Sequence, residues 1–439
     1  MADAPTVVFF PEGAYGPTNN CVGIGQVLQE RGARVVFIIE ESFAGTLEAR
    51  GFEERLMRLG PAPEVEEAPG QFWKDFIAAT APEFRKPTIE QLTTFIEPTM
   101  RALVEGAMYV DDRLREIIDE LDPDLVVEDN VCTFPALISH ARRWARIVSC
   151  NPAELPDPRV PPVFSGYSVK DELPWADFLV EYDRVMTPLW AEADEFCRTR
   201  GAGGLPAGRF IHESPDLNLY IYPEEVDYAR DVPLGPTWHR IDTCVRDEQG
   251  EVDVPTDILS GDGSLIYLSL GSLGSADTGL MQRLCDALAD TPHRYIVSKG
   301  PQHDEIELRG NQWGAEYLPQ PLLMPLCDLV ITHGGNNTTT ECLHHGKPMV
   351  LLPLFWDQYD NAQRMDDVGL GVRLPTYAWE PADLHGAIDR MLGDADAQAR
   401  LADRLGITRF AAVMGGSLGA GRRQIGGQHG PNRMQSTRK

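Results

Sequence analysis

Basic residues are scarce in this sequence: Lys and Arg total 39 against 67 Asp and Glu, a formal charge of −28 over 439 residues. A surface of that sign repels phosphate backbones and anionic bilayers, which argues against a nucleic-acid or lipid-surface role but leaves room for a local phosphate pocket. Any anionic ligand then depends on backbone dipoles and a few placed donors. The eight cysteines (Cys21, Cys132, Cys150, Cys197, Cys244, Cys285, Cys327 and Cys342) form no C-x-x-C pair and no His/Cys group at zinc spacing. Free thiols in a reducing compartment are therefore expected, not a disulfide frame. No apolar run approaches the roughly 20 residues of a membrane span. The start, Met1-Ala-Asp-Ala-Pro5, lacks the basic flank and apolar stretch of a secretory leader. A soluble, cytoplasmic protein with no nucleic-acid partner is the expectation.

What is present is enough apolar material, 43% of residues, for two cores in a chain longer than one core usually fills. Strand-like and helix-like segments alternate: Thr6 to Phe10 as strand, Asn20 to Arg31 as helix stopped by Gly32, and Arg34 to Ile39 as strand. A long helical pattern then runs to Leu121, followed by buried strands at Leu125 to Val127 and Ala145 to Ser149. Continuous apolar strands separated by helices predict parallel sheets covered on both faces. Residues 152–175 are rich in proline and aromatics, as a loop over a pocket would be. The rhythm restarts with strands at Leu265 to Leu270, Arg294 to Val297, Leu329 to Thr332 and Met349 to Leu352. The predicted organisation is α/β, with two tandem doubly wound domains facing a cleft. Their limits are placed at 1–225 and 264–410, with a linker at 226–263. The glycine-rich, basic tail 411–439 is expected to be disordered.

The densest chemistry lies in residues 328–364, DLVITHGGNNTTTECLHHGKPMVLLPLFWDQYDNAQR. A strand ends at His333, two glycines let the backbone turn closely, and Asn336 to Thr338 open a helix. Unpaired N–H groups and side-chain donors thus converge where the helix dipole favours an anion. Glu341 follows Asn337 by one helical turn, on a face where its carboxylate can accept from vicinal hydroxyls. Asp357-Gln358 follows the next strand. Ser269-Leu-Gly-Ser272 is a second strand end suited to a phosphate.

Taken together, Tyr317-Leu-Pro-Gln320, His333-Gly-Gly-Asn-Asn337-Thr338, Glu341, Asp357-Gln358 and Asn361-Ala-Gln-Arg364 closely resemble the donor signature of the UGT-like glycosyltransferases. These form family GT1, with the GT-B fold, and the likeness is strongest to the bacterial macrolide and natural-product type. It covers the chain from Val7 to about Leu405. It implies a C-terminal domain binding a UDP- or TDP-sugar and an N-terminal domain binding a hydrophobic small-molecule acceptor. Tyr317 falls where a tryptophan usually stacks on the base, Gln320 and Glu341 at nucleoside and ribose positions, and Ser272, His333, Gly335, Asn337 and Thr338 around the pyrophosphate. Asp357 and Gln358 match sugar-binding residues, with Trp356 lining that pocket. No metal or other cofactor is implied, the nucleotide-sugar being a co-substrate, and Asp122-Pro-Asp124 reads as a helix end and turn. The acceptor pocket is placed at Tyr15, Phe72, Trp73, Phe76, Phe164 and Tyr167.

The resemblance also implies a general base for an inverting displacement, usually a histidine at the mouth of the first helix oriented by an aspartate. In "PEGAYGPTNN", residues 11–20, Pro17 stands at the histidine position, while Asp129 matches the aspartate. Proline accepts no proton. Three routes stay open: Asp129 or, second to it, Glu12 takes the proton; the acceptor is an acidic hydroxyl such as a phenol; or the protein binds sugar nucleotides without catalysis. Asp129 leads because it occupies the family's position.

Overall fold

The computed structural model describes residues 4–61, 79–248 and 250–404. Phe72, Trp73, Phe76 and the tail 411–439 lie outside them.

The apolar run of β1 (Thr6–Pro11) is buried on both faces, which a strand tolerates only in the middle of a covered sheet. Its neighbours are β2 (Arg34–Glu40) and β4 (Leu125–Asp129). With β3 (Glu53–Met57), β5 (Trp144–Val148), β6 (Leu217–Ile221) and β7 (Trp238–Ile241) they form a seven-stranded sheet ordered β3-β2-β1-β4-β5-β6-β7, every pair parallel. Helix α1 (Tyr15–Glu30) leads from β1 back to β2. Helix α2 (Glu97–Leu121) buries Val104, Ala107, Val110, Leu114, Ile117 and Ile118 at three- and four-residue spacing against Val8, Phe10 and Val126. Each Val, Leu or Ile side chain among them contributes about 1.5–3 kcal/mol. Helix α3 (Trp175–Thr199) packs on the same side.

The second sheet contains β8 (Leu265–Ser269), β9 (Arg294–Ser298), β10 (Gln312–Ala315), β11 (Leu329–Thr332), β12 (Met349–Leu351) and β13 (Gly371–Arg373). Its order is β10-β9-β8-β11-β12-β13, again all parallel. Helices α4 (Asn336–His344) and α5 (Gln358–Asp367) follow β11 and β12.

Five strands escaped the sequence pattern. β3 (EERLM), β10 (QWGA) and β13 (GVR) end or flank their sheets and carry polar or very short segments. β6 (LNLYI) interrupts its apolar run with Asn218, whose side chain is satisfied by Ser214. β7 (WHRI) lies within 226–263, so that stretch supplies the outer strand of the first sheet as well as the passage to the second. Helix α1 opens at Tyr15, five residues before the expected Asn20. Pro17 sits in its first turn, where the missing N–H has no intrahelical partner to lose.

The lobes are joined by buried and half-buried polar bonds. Asn336 Nδ2 donates to the Ser149 and Ile221 carbonyls at 2.8 and 3.2 Å. Asp360 accepts from the Phe164 and Gly166 amides at 2.7 and 2.8 Å. Arg364 donates to the Val226 and Asp227 carbonyls, both at 2.7 Å.

Candidate active site

In a doubly wound sheet, ligands lie outside the carboxyl ends of the strands where the strand order reverses. Here those points are β1/β4 in one sheet and β8/β11 in the other, and they face each other across a cleft of about 460 Å³. Its walls include Glu12, Tyr15 and Pro17 from the first lobe, and Ser272, Tyr317, Gln320, His333, Gly335, Asn337, Thr338, Trp356, Asp357 and Gln358 from the second. Residues far apart in sequence therefore meet because the segments after β1, β5, β8, β11 and β12 open on one cleft.

The floor is built around His333. A Cβ at Gly271, whose φ is +74°, would lie 2.7 Å from His333 Cε1, and one at Gly335 would lie 2.6 Å from Nε2. Only glycine lets both loops close on the imidazole. Burial pulls the His333 pKa down to about 4 against a backbone hydrogen bond to Ser269, so the ring is neutral at pH 7. Beside it α4 begins at Asn336 with no side-chain cap and no acid in its first turn, leaving amide donors for an anion. Gln320 Nε2 donates to Thr338 Oγ1 at 3.3 Å and also to Glu341.

Glu341 itself is 1% exposed and is not on the cleft wall. Its oxygens accept from Arg246 Nη1 at 3.1 Å and from Gln320. Arg246 does reach the cleft and pairs with Glu248 at 2.8 Å, as does Arg50. These two arginines were not anticipated, since a lone Arg in a polar stretch carries no motif. Tyr317 lies 6.4 Å from Tyr15, ring centroid to centroid, and both rings are half-exposed. Tyr15, expected with the acceptor pocket, thus stands across from Tyr317 because α1 starts early and presents it there.

Where α5 meets the cleft, Asp357 Oδ2 accepts from the Asn151 amide at 2.9 Å and from Asn361 Nδ2 at 3.2 Å. Gln358 Oε1 accepts from the Leu354 and Phe355 amides at 3.0 and 3.2 Å. Trp356 holds a left-handed φ of +58° and packs 4.5 Å from Phe164, itself at +68°. Tyr167 is edge-on to Phe178 at 5.5 Å in the packing beneath, away from the cleft.

The two candidate bases differ sharply. Asp129 is 3% exposed, does not line the cleft, and leaves Oδ2 without a partner. Burial is the main cause raising its pKa to about 8, with Glu12 and Glu154 adding to the rise and Ser149 opposing it. Glu12 lines the cleft directly. Its amide donates to the Asp129 carbonyl at 2.9 Å, fixing the loop across β1 and β4. Desolvation, then the charges of Asp357 and Glu154, raise its carboxyl to about 7.

Residues 248–401 match the family model of UDP-glucoronosyl and UDP-glucosyl transferase. Over 344 residues the chain is 31% identical to the PGL/p-HBAD biosynthesis glycosyltransferase of Mycobacterium tuberculosis, an alignment spanning 71% of this chain and 75% of that one. The NDP-glycosyltransferase YjiC of Bacillus subtilis is 24% identical over 399 residues, 88% of this chain and 89% of its own. Among solved structures, the spinosyn rhamnosyltransferase SpnG complexed with thymidine diphosphate superposes with a TM-score of 0.58 at 20% identity, covering 93% of this chain and 99% of that one. The superposition makes the fold GT-B, and with the 31% identity over three quarters of the mycobacterial enzyme the chain belongs to the UDP-glucosyl and glucuronosyl transferase family, GT1, whose members transfer sugar from a nucleotide donor.

Proposed function

We propose that the enzyme moves a hexose from a UDP- or TDP-sugar to a hydroxyl of a hydrophobic small molecule, with inversion, without a metal, and with Glu12 as general base. The observation that carries this reading is the shared cleft: the anion cradle of α4 and His333 and the carboxylate of Glu12 line one cavity. The diphosphate would lie against the α4 amides, Ser272 and His333, with Arg246 and Arg50 nearby. The acceptor oxygen attacks the anomeric carbon from the Glu12 side, the bond to the diphosphate breaks, and its electron pair leaves with the diphosphate. Donors already fixed in place meet that growing charge without reorganising. The acceptor's proton passes to Glu12.

Glu12 is preferred to Asp129 on two grounds. It reaches the cleft, and with a pKa of about 7 a substantial fraction is ionised at neutral pH. Asp129, raised to about 8, is mostly protonated there. A base near the working pH combines availability with driving force. The buried Asp129 then acts by position, its carbonyl anchoring the Glu12 amide. The test is incubation of the full chain with UDP-glucose or TDP-glucose and a panel of phenols and alcohols, read by mass for hexosylated product. Product from at least one acceptor is expected; donor binding without product on any acceptor would overturn the reading.

A further inference from the structure

Two tyrosines from different lobes face one gap in the cleft. Tyr15, at the start of α1 in the first lobe, and Tyr317, in the loop after β10 in the second, both line its wall. Their ring centroids are 6.4 Å apart and the ring planes are tilted by 37°. Among the described residues three aromatic side chains are exposed, Tyr15, Tyr109 and Tyr317, and two of the three make up this pair. An aromatic ring gains most by covering its faces, so two half-open rings on one cleft wall mark a place for a ligand to cover them. Tyr15 does not hang free, because the buried Phe43 packs against it at 5.1 Å and holds it toward the cleft.

The spacing selects what fits between them. Stacked bases lie about 3.4 Å apart, so a flat ring between two others asks for about twice that. The observed separation falls just short of it, and rotation of half-exposed side chains levels the tilt and opens the gap. A puckered, saturated ring is thicker and fits worse. The gap also adjoins the anion cradle: Gln320, three residues after Tyr317, donates to Thr338 Oγ1 in the first turn of α4 at 3.3 Å. A ligand that spans both places carries a flat ring on an anionic chain, as a nucleoside diphosphate does.

Resting on the glycosyl-transfer reading, we propose that Tyr15 closes on the second face of the donor's nucleobase, whose first face lies on Tyr317. The acceptor lobe thereby supplies part of the nucleotide site, and donor affinity depends on α1. Stacking reads the face of a base and not its edge, so Tyr15 strengthens binding of UDP and TDP alike. It takes no part in the proton transfer.

Calorimetry on the full chain, Tyr15→Ala and Tyr15→Phe tests this, with UDP and with ribose 5-diphosphate, which lacks the base. Tyr15→Ala should weaken UDP about ten- to a hundredfold, while Tyr15→Phe, which keeps the ring, should stay within about threefold. Ribose 5-diphosphate should bind all three proteins alike. Hydroxyl-radical footprinting read by peptide mass gives an independent answer in the unaltered protein, and stands even if a variant does not fold. Saturating UDP should shield Tyr15 and Tyr317 and leave Tyr109, which does not line the cleft, reactive. Unchanged UDP affinity in Tyr15→Ala, a Tyr15→Phe as weak as Tyr15→Ala, a matching loss for ribose 5-diphosphate, or either cleft tyrosine left reactive under UDP would each overturn the proposal. All four outcomes leave UDP bound, and with it the donor-site reading. Absence of UDP binding by the unaltered protein would count against that reading and overturn the proposal with it.

Discussion

The loops after β1 and β11 both leave a switch-point strand and open on the cleft, yet their sequences speak with different clarity. The loops after β8 and β11 close together on the His333 imidazole, and Gly271 and Gly335 are the residues that geometry allows. Steric necessity therefore writes a visible motif. The loop after β1 needs only a proton acceptor in the right place. On the mechanism proposed above Glu12 is that acceptor, but a single loop carboxylate looks like ordinary surface charge until burial and neighbouring carboxylates are known. A cradle is encoded by shape, a base by surroundings.

The largest expected effect tests the acceptor-side half of this contrast. Glu12→Gln should lower kcat by about 10²- to 10⁴-fold, with nucleotide affinity unchanged by calorimetry. Asp129→Asn should leave a far smaller defect, and a collapse of kcat there with near-normal Glu12→Gln would reverse the two roles. On the donor side, Gly271→Ala places a methyl 2.7 Å from His333 at a positive φ. Strain of about 1–3 kcal/mol should weaken TDP or UDP binding by about ten- to a hundredfold, with calorimetry as the check. Asn336→Ala strands the Ser149 and Ile221 carbonyls between the lobes. A loss of about 2 kcal/mol in stability is expected, read as a lower urea midpoint. The smallest change is Pro17→His. With Glu12 already serving, kcat toward aliphatic alcohols should rise by less than about tenfold; a gain of a hundredfold would mean that the loop lacks a working base.

Much of the fold was legible because its central strands are continuous apolar runs buried on both faces, and period and length identify those. The edge strand β3 was not, since partial solvent contact frees its composition, and β13, with three residues, is too short for a period to show. Most donor residues singled out in the sequence do line the cleft. Glu341 stands behind the wall, its carboxylate already engaged by Arg246 and Gln320, which no spacing rule reveals. Asp129 led by alignment with a family pattern, but a sequence position carries no information on depth, and here a buried strand end holds it away from the cleft. The pairing of Arg146 with Glu154, eight residues on, depends on how the proline-rich loop folds back on β5.

The pH dependence of kcat/KM with an aliphatic alcohol tests the central claim most directly. A base must be ionised to act, so the rate should fall about tenfold per pH unit below an apparent pKa near 7 and level off above it. Because Asp357 is also raised to about 7 and repels Glu12, that value belongs to the coupled carboxylates. In Glu12→Gln the residual activity should lose this acid limb. A flat profile from about pH 5.5 to 9 in the unaltered enzyme, or an acid limb that survives in Glu12→Gln, would contradict Glu12 as the base.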